Sequence, residues 1–263
     1  MFYNNAMKRF WQIGNISALM FALIMNFLVG TQVLNVPSIS DMSDKYATLL
    51  TPASYAFSIW LLIYLLLISF VIYQARDLIK PRTTNNLPQK IGPWFIIASI
   101  CNGLWTYIFV SELVGLSVVM LLTLTLALYI LLWRLNIANF VASPTVTFLV
   151  WWPLMIYTGW VSVASVVNIA SWFEYIGVTP VPLFAIGVLI ALAAGLLYLL
   201  LRRNVRELLL AAIWGIAAIG VQQISDNATV AISAFAVAGI LLAAVAVHGY
   251  MNRRQSVAAQ LIK

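Results

Sequence analysis

The sequence contains very little charge. Only 8% of its 263 residues are Asp, Glu, Lys or Arg, whereas 63% are hydrophobic. A soluble domain usually carries about 25% charged residues, and a water-soluble globule of this size could not bury so much apolar surface. We therefore predict an integral membrane protein with the lipid bilayer as its main solvent. The ten tryptophans and eleven tyrosines fit this class, because amphipathic rings favour the headgroup layer.

Cysteine and histidine are almost absent. With Cys101 alone, the chain cannot form an intramolecular disulfide, and this residue is expected to be a small buried hydrophobe. His248 is the only histidine, which excludes a Cys/His zinc site and a histidine-based triad. We expect no cofactor, no metal site and no catalytic residues, so the protein is predicted not to be an enzyme. The basic residues form no stripe or nucleic-acid motif, so no nucleic-acid partner is expected.

Long apolar runs fill most of the chain. A bilayer core needs roughly 20 apolar residues per helix, and such runs occur at 14–35, 53–74, 93–112, 114–134, 146–170, 181–201, 206–223 and 229–250. No clear cleavage pattern follows the first run, which indicates a retained helix and not a signal peptide. Asn136 and Asn139 in the connection 135–139, together with Pro144, mark a turn between the fourth and fifth runs. The fold class is therefore all-α: a polytopic bundle of about eight transmembrane helices.

The basic residues alternate between the connections. One side carries Lys8, Arg9, Arg76, Lys80, Arg82, Lys90, Arg134, Arg202, Arg203, Arg206, Arg253, Arg254 and Lys263. The other side has Lys45 as its one basic residue, together with Asp41, Asp44, Glu112, Glu174 and Asp226. The positive-inside rule makes the basic side and both termini cytoplasmic. The short loops and the lack of a transit peptide favour a bacterial plasma membrane. No ionisable residue lies in the middle of a run, which disfavours an ion-coupled transporter.

Aromatic and amide residues recur at helical spacing in the second, third and fifth runs. They are Phe57, Trp60, Tyr64, Asn102, Trp105, Phe109, Tyr157, Trp160 and Asn168, with the small residue Ala164 on the same face. Two interpretations compete. Amides and small residues often mediate helix packing in membranes, whereas an aromatic-lined cavity with a few polar groups is typical of a ligand pocket. Spacing alone favours packing. In either case Asn102 and Asn168 should face the bundle interior.

Three segments resemble motifs of the tryptophan-rich sensory protein and translocator protein family (TspO/MBR, including the peripheral benzodiazepine receptor). The first is a proline followed by aromatics and W-x-x-x-Y, met by Pro52, Trp60 and Tyr64. The second is N-x-x-W-[ST]-x-x-F, met by Asn102, Trp105, Thr106 and Phe109. The third is Y-x-x-W-V-x-x-A-x-x-x-N, met by Tyr157, Trp160, Val161, Ala164 and Asn168. Their order and their places on the second, third and fifth helices match the family. This resemblance favours the ligand-pocket interpretation over helix packing.

The sequence departs from the family pattern in a few places. The family usually has two prolines before the second helix, and this sequence has only Pro52 there. The proline that normally lies just before the fifth-helix tyrosine is displaced to Pro153. The aromatic Phe57 lies one residue closer to Trp60 than usual. The loop from residue 32 to 51 has Tyr46 but lacks the usual Trp-Tyr pair. These differences concern the identity of the ligand more than the fold.

The resemblance implies a five-helix unit over residues 1–175 that encloses a pocket for a porphyrin, a sterol-like lipid or another flat hydrophobic molecule. It places Trp60, Asn102, Trp160 and Ala164 in the pocket wall, with Tyr46, Tyr64, Trp105, Tyr157 and Asn168 as further candidates. Residues 176–263 would be an additional three-helix region with a short cytoplasmic tail. Its small residues predict bundle packing or a subunit interface. A homodimer is therefore one of the expected arrangements.

The resemblance also leaves competing functions. The leading hypothesis is a membrane receptor or carrier for a flat hydrophobic ligand. A second is a transporter or assembly scaffold that shares the fold and has no tetrapyrrole ligand. A third is an enzyme that degrades porphyrins, which the sequence disfavours because it offers no pair of base and nucleophile and no metal-ligand set.

Overall fold

The computed structural model describes residues 2–78, 86–139 and 142–252, with only the backbone described for residues 2–5. These residues contain helices and no strand, which confirms the all-α prediction. The eight long helices are α1 (Phe2–Gly30), α2 (Ile59–Ala75), α3 (Trp94–Val110), α4 (Val114–Arg134), α5 (Trp152–Tyr175), α6 (Pro182–Arg202), α7 (Arg206–Gln222) and α8 (Ala228–Met251).

Each predicted run corresponds to one long helix. In the described part of the chain, six helical segments are long and apolar enough to cross a membrane, while α3 and α7 have 17 residues each. The bounds of the first run were wrong, because α1 begins at Phe2 and ends at Gly30. Beyond Gly30 the polar residues Gln32 and Asn35 adopt φ of 56° and 53°, a left-handed conformation that a helix cannot continue through.

Five helices close into a ring. Around it the order is α1, α3, α4, α5 and α2, and α2 packs back against α1. Helix α7 packs on the outside of α5, α8 packs on α7, and α6 packs on α8. The aromatic positions of α2, α3 and α5 therefore face a common interior, while the last three helices form a layer behind α5.

The entry into α5 is irregular. The predicted turn at residues 135–139 is present, and Pro144 begins a short helix, Pro144–Val146. A π-helical segment, Thr147–Trp151, then leads directly into α5. Pro153 explains this geometry, because proline has no N–H to donate to the preceding turn and its ring crowds the carbonyl four residues earlier.

The predicted grouping of charges is visible at one end of the bundle. There Lys8 Nζ pairs with Asp77 Oδ2 at 2.6 Å, and the Arg134 side chain donates to the Lys90 carbonyl at 3.1 Å. We call this end the basic face. The predicted basic residues Lys80, Arg82, Arg253, Arg254 and Lys263 lie outside the described residues.

The opposite end, which we call the loop face, carries the long connection between α1 and α2. A seven-residue helix, Ile39–Lys45, lies in this connection and is referred to as the cap helix. Pro52 precedes a 3-10 segment, Ser54–Ser58, that leads into α2. The cap helix and Pro52 together cover the end of the five-helix ring.

Candidate functional site

An aromatic cluster occupies the interior of the five-helix ring, with Trp60 at its centre. The Trp60 ring stacks on Tyr64 with 5.4 Å between centroids, and lies 6.0 Å from both Trp105 and Tyr157. Its edge-to-face contact with Trp160 has a centroid distance of 6.3 Å. These distances are typical of favourable aromatic pairs. The structure therefore brings together the predicted aromatic residues of α2, α3 and α5.

A cavity lies beside this cluster, toward the loop face. Its volume is about 30 Å³, so it is a narrow space in this closed conformation. Its lining consists of Ile39, Ser43, Pro52, Phe57, Trp105, Phe109, Trp160, Val163, Ala164, Val167, Asn168 and Ser171. The predicted site residues Trp105, Trp160, Ala164 and Asn168 are thus in its wall. Trp60 contacts both cavity tryptophans without itself being in the lining.

A network of amides and hydroxyls joins α1, α2 and α3 beside the aromatic cluster. Asn102 Oδ1 accepts hydrogen bonds from Asn26 Nδ2 at 2.9 Å and from the Tyr64 hydroxyl at 3.2 Å. The Thr106 hydroxyl donates to Asn26 Oδ1 at 3.1 Å. Sequence reasoning missed Asn26, although an amide in the middle of an apolar run is a signal that a polar partner lies on another helix.

A second network holds Trp105 in place. Its indole N–H donates to Asn168 Oδ1 at 2.9 Å, and Asn168 Nδ2 donates to the Ser117 hydroxyl at 3.0 Å. Asn102 and Asn168 are only 1% and 3% exposed, which confirms the prediction that both face the interior. Since lipid offers no hydrogen-bond partner, such interhelical bonds satisfy groups that would otherwise be costly to bury.

Several buried donors in or around the aromatic cluster and the cavity have no partner. Within the described residues, the indole N–H groups of Trp60 and Trp160 and the Nδ2 of Asn102 make no hydrogen bond. The hydroxyls of Ser43 and Ser171, both in the cavity lining, are likewise unpaired. A buried polar group without a partner costs about 1–3 kcal/mol. An incoming molecule with acceptor atoms would relieve part of this cost.

Tyr46 lies apart from the predicted pocket residues. Its hydroxyl donates to Glu112 Oε2 at 2.8 Å, and Lys45 Nζ pairs with Glu112 Oε1 at 2.7 Å. The Tyr46 ring also packs edge-on against Tyr175 at 5.5 Å. Among the described residues Tyr46 is outside the cavity lining, and it joins the end of the cap helix to the turn between α3 and α4.

Electrostatics at this contact favour the paired state. The hydrogen bonds from Lys45 and Tyr46 lower the pKa of Glu112, and the bond to Glu112 raises the pKa of Lys45. Partial burial, followed by its bond to Glu112, raises the pKa of Tyr46. Glu112 is thus anionic and Lys45 cationic at neutral pH. We call the contact of these three residues the cap latch.

Helix α7 supports the site from behind, which sequence reasoning did not foresee. A Cβ placed on Gly215 would lie 3.0 Å from Val163 and 3.4 Å from the Trp160 ring, so α7 approaches α5 closely behind this tryptophan. The Ala53 N–H donates to the Ala218 carbonyl at 3.0 Å, which also ties the loop before α2 to α7. The small residues of α7 were the available signal.

The lining of the cavity consists of apolar, aromatic and uncharged polar groups. It carries no Asp, Glu, Lys, Arg or His. Across the described ranges, no group of three or more His, Cys, Asp or Glu residues could hold a metal ion. Aromatic faces, small apolar side chains and a few N–H and O–H donors are the groups that a bound molecule would meet.

Comparison with known proteins identifies the family. No curated protein and no solved structure matches the chain. A family model described as TSPO-like protein matches residues 12–247. This match extends beyond the three motifs into α6, α7 and α8, while the division of the chain at residue 175 stays a prediction. The protein is a membrane helical bundle that carries the family's motifs on three facing helices, and the family model matches nearly its whole length. The chain therefore belongs to the TSPO-like protein family.

Proposed function

We propose that the protein binds a flat hydrophobic molecule, of the porphyrin or sterol-like class, in the cavity beneath the cap helix, and that it carries or senses this molecule. Family membership and an aromatic-lined cavity inside the bundle support the proposal. In this proposal the protein acts by binding and not by catalysis. The basic face is cytoplasmic, in a bacterial plasma membrane, so the cavity mouth faces the outside.

One observation carries the proposal: the indole N–H groups of Trp60 and Trp160 and the Asn102 amide are unpaired donors around a single aromatic cluster. Helix packing alone would favour pairing them, because unpaired donors in a dry interior are costly. A ligand that stacks on the rings and offers carbonyl or carboxylate oxygens would fit both features. Trp160 and Trp105 supply the stacking faces, and the unpaired donors would orient the polar edge.

The size of the cavity indicates how a ligand would enter. Ligand pockets usually measure about 300–1,000 Å³, whereas the cavity volume here is about 30 Å³, so the closed cavity is far smaller than such a pocket. A tetrapyrrole macrocycle is larger than this slot. The cap helix contributes Ile39 and Ser43 to the lining, and its outward displacement would enlarge the cavity on the side of the mouth.

Quenching of tryptophan fluorescence by protoporphyrin tests the site. The wild type is compared with Trp60→Ala and Trp160→Ala in nanodiscs. We expect the apparent affinity to fall at least about five-fold in each variant, because a buried aromatic contact of about 1 kcal/mol or more is lost. Absorbance of the bound porphyrin gives the same affinity without depending on the number of tryptophans that remain.

Trp133→Ala is the matched control, since Trp133 is 53% exposed and far from the cavity lining. Its removal should change the fluorescence amplitude and leave the affinity unchanged. Equal affinities in the wild type and in all three variants would refute the proposed site.

A further inference from the structure

A second cavity opens on the side of the bundle, between α2, α5 and α7. It has a volume of about 490 Å³ and is lined by Ser58, Ile59, Leu62, Trp152, Ile156, Glu207, Leu210, Ala211 and Trp214. We call it the lateral groove. Leu62, Leu210 and Trp214 on its rim are 48%, 45% and 40% exposed. In a membrane these exposed surfaces face the acyl chains, so the groove is accessible from the lipid.

Glu207 is the one charged residue in the lining of the lateral groove. It lies in the first turn of α7, at the basic face. Within the part of the chain that the structure describes, no basic side chain forms an ion pair with it. Its neighbour Arg206 is directed toward α8, where its Nη1 would lie 3.0 Å from a Cβ placed on Gly249.

Two indoles accompany this carboxylate. The Trp152 side chain lies beside Glu207, and its buried indole N–H makes no well-formed hydrogen bond. At the other end of the groove Trp214 is held by a 3.0 Å hydrogen bond to the Ala56 carbonyl and by edge contact with Tyr55. A carboxylate at a lipid-facing site is costly unless a cation pairs with it, and indole faces also attract cations.

The lateral groove is separate from the inner cavity. Gly159 of α5 packs directly on the backbone of Leu208 in α7, and the Trp160 ring packs against Gly215. These contacts form a wall between the two spaces, and no lining residue is shared. A ligand in the groove would therefore not depend on the aromatic cluster, and this inference does not rest on the proposed function.

We propose that the lateral groove binds a lipophilic amine. The ammonium group pairs with Glu207 between the indole of Trp152 and the membrane interface, and the hydrocarbon body lies along Ile156, Leu62 and Leu210. The lining contains no Lys or Arg that could hold a phosphate. A freely diffusing amine with a single positive charge therefore complements the groove better than the headgroup of a zwitterionic phospholipid.

Equilibrium binding of tritiated dodecylamine tests the inference. The full-length protein is placed in phosphatidylcholine nanodiscs, and partitioning into empty nanodiscs is subtracted. We expect saturable binding to the wild type and at least about tenfold weaker binding to Glu207→Gln, as for the loss of a charge-assisted contact. Tritiated dodecanol, with the same chain and no charge, should bind both proteins equally and weakly.

Two further variants make the result decisive. Glu174→Gln removes a carboxylate at the loop face and should leave dodecylamine binding unchanged. Leu210→Trp fills the groove and keeps the charge of Glu207, so it should reduce binding. This second variant tests the groove even if Glu207→Gln fails to fold. Equal binding to the wild type and to both groove variants would overturn the proposal. Displacement of the amine by phosphatidylethanolamine added to the nanodiscs would also overturn it, by assigning the groove to a lipid headgroup.

Discussion

Asn102 and Asn168 lie on different helices of the same ring, and both are almost fully buried. Their amides are nevertheless used differently. Asn168 accepts from Trp105 and donates to Ser117, so both ends of its amide are engaged. Asn102 accepts two hydrogen bonds through Oδ1, while its Nδ2 donates none. Asn168 therefore stabilises the position of Trp105, and Asn102 retains a donor that a ligand can use.

A double-mutant cycle tests the structural role of Asn168. Replacing Asn168 with Leu, or Trp105 with Phe, breaks the 2.9 Å hydrogen bond between them. Each single variant should lower the free energy of unfolding by about 1–2 kcal/mol, because a buried group loses its partner. The coupling energy should be about 0.5 kcal/mol or more. Unfolding in mixed micelles followed by circular dichroism measures these values, and strictly additive effects would contradict a direct bond.

The cap helix contributes Ile39 and Ser43 to the lining of the inner cavity. It has seven residues, which is too short for a stable isolated helix. A capping box between Ser38 and Asp41 holds its beginning, and the cap latch of Lys45, Tyr46 and Glu112 holds its end. The latch is exposed, and exposed ion pairs contribute little stability. The contact at the end of the cap helix is therefore weak.

From the cap latch we predict that the opening of the cap helix depends on pH. Because the pKa of Glu112 is lowered from its ordinary value of 4.5, its stabilising effect is complete above that value and is lost as the pH falls through the lowered pKa. The pKa of Lys45 is raised from 10.5, so its charge persists through neutral pH. We expect amide hydrogen exchange of residues 39–45, corrected for intrinsic rates, to be constant near neutrality and faster in acid.

Glu112→Gln should reproduce this effect at neutral pH, with exchange in the cap helix roughly two- to five-fold faster, as for the loss of an exposed ion pair. Asp226→Asn removes another carboxylate from the loop face and has no contact with the latch, so it should leave the exchange unchanged. Identical exchange in the wild type and Glu112→Gln would show that the latch does not hold the cap helix.

At the scale of the whole molecule, the last three helices are packed onto the five-helix ring and are not independent of it. Buried side chains from α5 and α7 belong to one continuous hydrophobic core. A methyl group on Gly159 would overlap the Leu208 carbonyl oxygen, so these two backbones touch directly. The layer behind α5 therefore supports the wall that carries Trp160.

Gly159→Ala tests this contact between the two parts of the chain. The added Cβ meets backbone atoms of Leu208 that cannot move aside, so we expect a loss of about 1–3 kcal/mol in the free energy of unfolding, as in other overpacked cores. Gly187→Ala in α6 is the matched control, because a Cβ there meets no atom within 4 Å. It should be neutral or slightly stabilising. Equal stability of the two variants would contradict close packing of α5 against α7.

The membrane class, the approximate positions of the eight helices and the grouping of basic residues at one end followed from the sequence alone. Hydropathy and the positions of charges are local properties of the chain, and the bilayer forces apolar runs to be helical. Helical spacing also placed Trp60, Trp105 and Trp160 on facing stripes. The family was predicted from the order of three motifs, and the family match confirmed it.

Only the tertiary structure decided which of these residues surround a cavity. Tyr46 was expected near the pocket and instead forms the cap latch, because the path of the connecting loop is not encoded in any helical period. Asn26 completes the amide network from α1, and α7 supports Trp160 through Gly215. The lateral groove around Glu207 arises where three helices diverge. Such contacts depend on the packing of helices distant in sequence, which a single chain's local pattern does not determine.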